Sequence, residues 1–257
     1  MRTNHTKSNS QLVVAAAATL AIGCGVANAQ TPAPEKPAEK PKWEGAVNAG
    51  LTLTSGNSDT LLATMGANAK KKWDKNELMF GANGGYGESE DVKNADFVSA
   101  YGQFNHLFTE KFYGGVRVDG NYDGLADLTY RFNITPLAGY YFIKNDKTLL
   151  SAEVGPSLVI ERYFGEADND SYLGVRFGQK FEHKLTDTTK IWEYADYTPQ
   201  IDRWAEKYLV NVEVGISTAI NKTWSLRVVG QFIYDSEPAP GRQKDDLRLI
   251  AGTEYRF

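Results

Sequence analysis

The 257-residue chain carries 28 Lys and Arg against 32 Asp and Glu, with a single cysteine and 42% hydrophobic residues. A net charge of −4 without a basic block argues against a nucleic-acid partner, and a lone Cys24 excludes a disulfide scaffold. Past the amino-terminal region no apolar run approaches the roughly 18 residues of a transmembrane helix, so a membrane-spanning fold must be a closed β-barrel.

The first 29 residues read as a secretory signal peptide. Arg2 and Lys7 give a basic start, Leu12 to Val26 an apolar run, and Ala27-Asn28-Ala29 a small-x-small cleavage site. A competing reading takes Ala21-Ile22-Gly23-Cys24 as a lipobox with Cys24 lipidated, although Ala21 stands where leucine is usual. Residues 30–42 hold Pro32, Pro34, Pro37 and Pro41 among Ala, Glu and Lys, the composition of an extended, solvated tether on the periplasmic side.

From Trp43 to Phe257 the chain reads as strand after strand with apolar and polar residues alternating. The first, Trp43 to Thr54, sends Val47, Ala49 and Leu51 one way and Glu44, Asn48 and Thr52 the other. The second, Thr60 to Trp73, does the same, with Lys71 on the apolar side near its end, where the stem can lie along apolar surface. The third (Glu77 to Glu88) is glycine-rich, which suits a curved wall, and the fourth (Ala95 to Phe108) is less regular. The fifth (Phe112 to Asp123) and sixth (Leu128 to Phe142) alternate sharply, the sixth setting Leu128, Tyr130, Phe132 and Ile134 against Arg131, Asn133 and Thr135. The seventh (Thr148 to Tyr163) and eighth (Ser171 to Leu185) follow suit.

The ninth, Lys190 to Ile201, fails strict alternation. Trp192 and Tyr194 start on the apolar face, but that register carries Asp196 there too, and a β-bulge near Tyr194 and Ala195 is expected to restore Ala195, Tyr197 and Ile201. The tenth (Lys207 to Ile220) and eleventh (Trp224 to Asp235) are clear. The last, Leu247 to Phe257, ends the chain on an aromatic residue inside an alternating strand. That ending resembles the closing strand of bacterial outer-membrane barrels, and the resemblance implies that Tyr255 and Phe257 belong to a signal read by the barrel-assembly machinery. Pro136, Pro156 and Pro199 are awkward within such strands, because each removes a ladder donor.

The fold expected is therefore all-β: a transmembrane antiparallel β-barrel of about twelve strands, an even number that returns both ends of the chain to one side. Twelve strands enclose more space than side chains fill in an eight-stranded barrel, so the apolar faces are expected to point outward to lipid. Aromatics at strand ends support this, with Trp43, Trp73, Phe80, Phe108, Phe112, Tyr140, Phe142, Phe181, Trp192, Trp224 and Phe257 forming one girdle and Tyr86, Tyr130, Tyr208 and Tyr234 the other.

Trp43-Glu44-Gly45, the run Thr54-Ser55-Gly56-Asn57-Ser58-Asp59-Thr60 and Trp73 together resemble the opening of the YdiY-like family of salt-induced outer-membrane proteins. The resemblance spans residues 43–257 and implies location and fold rather than activity, since the family has no assigned function.

Little catalytic chemistry is visible. His106 and His183 fall on outward registers without the serine two positions on that some outer-membrane lipid hydrolases use, and no His, Cys or acidic spacing suggests a metal or a cofactor. The acidic runs Ser89-Glu90-Asp91 and Glu166 to Asp170 read as solvated loops. The inward charges are more informative: Arg117, Arg131, Arg176, Lys180, Arg227 and Arg248, with Asp119, Glu153, Glu161, Glu182, Glu213 and Glu254, are expected to line a lumen or pair across it. The loops, even Ser236 to Lys244, are too short for a folded plug. The function expected is a narrow passive channel for small ions or solutes, monomeric, embedded in outer-membrane lipid and lipopolysaccharide and linked to envelope or osmotic adaptation. A purely structural barrel and a lipid-modifying enzyme are the alternatives.

Overall fold

Strict alternation and short turns give twelve antiparallel strands. The computed structural model describes residues 42–54, 60–165 and 170–257; the expected signal peptide, and the tether apart from Lys42, lie outside them. The strands are β1 (Trp43–Thr54), β2 (Thr60–Trp73), β3 (Asn76–Ser89), β4 (Val92–Leu107), β5 (Phe112–Asp123) and β6 (Leu128–Lys144). They continue as β7 (Thr148–Tyr163), β8 (Asp170–Lys184), β9 (Thr189–Pro199), β10 (Tyr208–Ala219), β11 (Trp224–Asp235) and β12 (Asp245–Arg256). Each pairs with its sequence neighbours and β12 pairs with β1, so the sheet closes on itself and leaves no edge. At the seam Phe257 N–H donates to the Gly45 carbonyl at 3.0 Å and Gly45 N–H to that of Phe257 at 3.2 Å. The terminal ring fills the space over Gly45.

The barrel is apolar outside and polar inside. Met65 is 73% exposed and Leu247 80%, whereas Thr135 and Glu161 on inner faces are fully buried. A closed sheet with this polarity is the lipid-facing surface of a membrane-spanning barrel. Aromatic pairs ring the end that carries both termini of the described barrel, residues 42 and 257, among them Trp43 with Phe80 at 6.3 Å and Trp224 with Tyr255 at 5.2 Å. Tyr208 stacks on Tyr234 at 5.5 Å at the opposite, loop end. Lys71 lies on the outer face with its ammonium 5.6 Å from the Trp43 ring.

Two expectations are corrected. β9 contains no bulge: its register to β8 and to β10 is continuous, and Trp192, Tyr194 and Asp196 all point inward. Trp192 therefore leaves the girdle. Its ring lies across Gly215, its cross-strand partner, and its indole N–H donates to Glu213 at 2.8 Å, so a polar lumen accommodates the aromatic side chain. Leu128 is buried rather than lipid-facing, because a register shift between Leu128 and Tyr130 turns it inward beside Tyr163. Glu90 and Asp91 form the exposed turn of the β3–β4 hairpin, at φ of 50° and 62°, and residues 166–169 of the other acidic run lie outside the described residues.

The prolines leave the register intact. Ile134 faces Leu158 and Ala138 faces Val154, so Pro136 stands opposite Pro156 and both missing donors fall in one break of the β6–β7 ladder. Thr135 Oγ1 donates to Ser157 Oγ at 2.9 Å beside that break. Pro199 ends β9, and past it the register is kept by Ile201 N–H donating to the Leu173 carbonyl and Gln200 N–H to that of Lys207, each at 2.9 Å.

Candidate functional site: the lumen

Because side chains alternate, each wall residue at an even step from Arg131 or Glu153 on its strand enters the lumen, and the charges expected there from sequence all lie on inner faces. They form three layers.

Nearest the loop end, Arg131 Nε donates to Glu161 Oε2 at 2.6 Å, and its Nη2 to Asp235 Oδ2 at 2.5 Å and to the Tyr163 hydroxyl at 2.8 Å. This joins β6 and β7 to β11 across the lumen. Lys207, just before β10, places its ammonium 3.1 Å from Glu161 and 2.8 Å from Asp170, and 4.3 Å from the Tyr172 ring. A second crossing pair joins Arg248 of β12 to Asp123 of β5 at 2.5 Å, with the guanidinium 3.9 Å over the Phe97 ring.

The middle layer centres on Glu153. It accepts from Arg176 at 2.9 Å, from Gln103 at 2.6 Å and from the Tyr113 hydroxyl at 2.9 Å. Arg176 also pairs with Asp196. Arg117 is held by Asp119 at 2.6 Å and donates to Gln103 at 3.1 Å, its guanidinium 4.3 Å over the Tyr101 ring. Tyr101 and Tyr113 each lie flat over the glycine directly opposite, Gly81 and Gly139, which is how side chains of this size fit inside.

In the layer nearest the termini, Lys180 pairs with Glu182 at 2.9 Å and Tyr194 donates to the same carboxylate at 2.9 Å. Glu213 accepts from Trp192 and from Gln231. Arg227 and Arg256 share Glu254, at 3.7 Å and 2.8 Å. Glu77, 4% exposed, accepts from Tyr141 and takes Lys72 and Lys144 each at 3.3 Å.

The loop from 236 to 244 is no folded plug, yet it crosses the mouth. Arg242 reaches Asp127 of the β5–β6 loop through contacts of 2.5 Å and 2.8 Å, and Glu237 pairs with Arg203 of the β9–β10 loop. Under it is a cavity of about 90 Å³ lined by Phe97, Ser99, Asn121, Asn133, Asn211 and Arg248 among others.

Sequence reasoning missed the partners Asp123, Asp196, Asp235 and Glu77, and the neutral groups Gln103, Tyr113 and Tyr141 that complete the network. Alternation marks Asp123 and Asp235 as inward, but nothing local says that they cross the bore. The histidines stay on the outer face: His106 Nδ1 is 2.9 Å from Asn76 Oδ1, and His183 Nδ1 is 2.8 Å from Thr148 Oγ1. Among the described residues no group of three or more His, Cys, Asp or Glu could hold a metal ion.

The chain belongs to the DUF481 family, described as proteins of unknown function, whose model matches residues 47–257. This is the YdiY-like family that the opening residues resemble. No curated protein sequence matches. Among solved structures, the chain is similar to the NanC porin at 5% identity with a TM-score of 0.51, covering 83% of this chain and 100% of that one. It is also similar to the KdgM porin at 11% identity with a TM-score of 0.44, covering 84% of this chain and 99% of that one. The translocator domain of the autotransporter NalP from Neisseria meningitidis gives 11% identity and a TM-score of 0.44, covering 84% and 88%. At these identities the likeness is one of fold.

Proposed function

We propose that this protein is a monomeric outer-membrane barrel that acts as a narrow passive channel for small ions or solutes in envelope or osmotic adaptation. The termini face the periplasm, and outer-membrane lipid and lipopolysaccharide cover the belt. The observation that carries the reading is a closed twelve-stranded barrel whose charges of both signs are gathered inside. Twelve strands lie between barrels filled by side chains and open porins of sixteen or more. Mixed, mutually paired charge favours small solutes and weak ion selectivity over a strongly selective pore.

Reconstitution in a planar bilayer tests this. Small, weakly selective unitary currents support it. The cross-lumen pairs at the loop end favour a second reading, a structural envelope barrel without transport, and silence at every voltage and salt concentration supports that one.

The enzymatic alternative has less to rest on. A hydroxyl does stand beside an imidazole at Thr148 and His183, but the cross-strand pair places them on the girdle, and a nucleophile needs a general base held by a third group. Lipid hydrolysis by the purified protein that is lost in His183→Ala or His106→Ala is the result that favours an enzyme.

A further inference from the structure

We propose that the open bore of this barrel is eccentric, running along the inner face of β1–β3, while the ion-paired residues of β5–β11 form a filled wall rather than a pore lining. That solute moves through the bore rests on the channel reading above; the position of the bore does not.

The two halves of the lumen differ in how they are filled. On the β5–β11 side a run of inward groups is almost fully buried, Thr135, Ser157 and Glu161 at 0% and Ser217, Ser225 and Val229 at 1%, although Lys180 and Glu182 keep 33% and 25%. The inner face of β1–β3 is built of small neutral residues, Asn48, Gly66, Asn68, Asn83 and Gly85 among them, and its charges sit near the end that carries the termini. At that end Glu77 is buried at 4%, and farther along Ala46 and Thr64 are at 6% and 8%, but the inner side chains of β1 and β2 beside them are wet. Asn68 is exposed although it points inward, and Glu44 and Lys70, which pair at 2.9 Å, are 70% and 48% exposed. Arg131 and Arg176 keep 10% and 7%. Space that solvent reaches therefore lies against β1–β3, beside Glu44, Asn68 and Lys70, and away from the charges that alternation alone marks as lumenal.

Toward the loop end this space meets one side chain. The Phe97 ring fills the volume over Gly85, Arg248 lies on the ring, and both residues also line the cavity beneath the crossing loop. Phe97 is 3% exposed. It is thus the partition between the mouth cavity and the wet half of the lumen, and the residue that sets the narrowest point of the path.

The test uses thiol accessibility, which needs no current. In full-length protein carrying Cys24→Ser, Asn68→Cys and Ser157→Cys are each exposed to a charged, membrane-impermeant thiosulfonate. Heat-modifiable gel mobility verifies that each variant is folded, and Asn83→Cys replaces the first if it is not. Asn68→Cys is expected to react at least roughly 100-fold faster than Ser157→Cys, because a thiol in a packed wall reacts only through local opening. Equal rates, or faster reaction at Ser157→Cys, overturn the proposal. In a bilayer, the same modification at Asn68→Cys is expected to cut the current by about half or more, and Phe97→Ala to raise it about twofold or more, as constrictions of single side-chain width do. Current unchanged by both overturns the path. Fast labelling of Asn68→Cys in a protein that passes no current supports the eccentric bore and removes the channel reading instead.

Discussion

Replacing Arg131 with Gln is the most informative test of the lumenal network. Arg131 holds two carboxylates, Glu161 at 2.6 Å and Asp235 at 2.5 Å, with side-chain exposures of 0% and 15%. Breaking a buried ion pair by removing one partner costs about 3–5 kcal/mol, since the other charge is left desolvated. Lys207, 3.1 Å from Glu161, offsets part of this, so about 2–4 kcal/mol is expected. Glutamine keeps one donor, which leaves the lower half of that range the better expectation. The assay is urea unfolding in lipid vesicles followed by tryptophan fluorescence, with heat-modifiable mobility as a second probe. A double-mutant cycle with Asp235→Asn separates the cross-lumen contact, and a coupling of about 1–3 kcal/mol is expected for groups in one network. A loss under about 0.5 kcal/mol, with coupling near zero, would show that water screens the pair as it does surface pairs and that the two walls do not meet.

Gly215→Val sets a Cβ 2.1 Å from the Trp192 ring, so the indole must leave its place and release Glu213; a loss of about 1–3 kcal/mol is expected in the same unfolding assay. Deleting Phe257 removes two backbone hydrogen bonds at the β1–β12 seam and uncovers Gly45, and is expected to lower the folded yield in vesicle refolding, read by gel mobility. Arg242→Gln frees the loop that crosses the mouth from Asp127. Because that pair is exposed, the change is expected to lengthen open events in single-channel records without altering the unfolding midpoint, and an unchanged record would show that the loop does not obstruct the path.

Strand existence and facing were largely legible, because a membrane barrel writes the period-two pattern into nearly every strand. β2 is the clean case: Met65 goes out and Thr64 goes in as alternation requires. The errors in facing have two causes. Setting Trp192 and Tyr194 on the lipid face forced a bulge onto β9, whereas Gly215 opposite Trp192 makes room for an inward indole. The signal was present in cross-strand glycines, but register must be known before they can be read. Leu128 was lost to a bulge that no single residue announces. The site was legible as a set of inward charges and illegible as a network. Arg131 and Asp235 are 104 residues apart, and their meeting depends on which strands the closed barrel sets facing each other, which no local pattern encodes. Nor does alternation separate a packed inner wall from a wet one.

The central claim is that this barrel conducts, and one recording tests it most directly. The purified protein in a planar bilayer, at symmetric and then asymmetric salt, is expected to give small unitary currents with weak preference between cation and anion. Protein that is folded by gel mobility yet silent under every voltage and salt concentration would contradict the account.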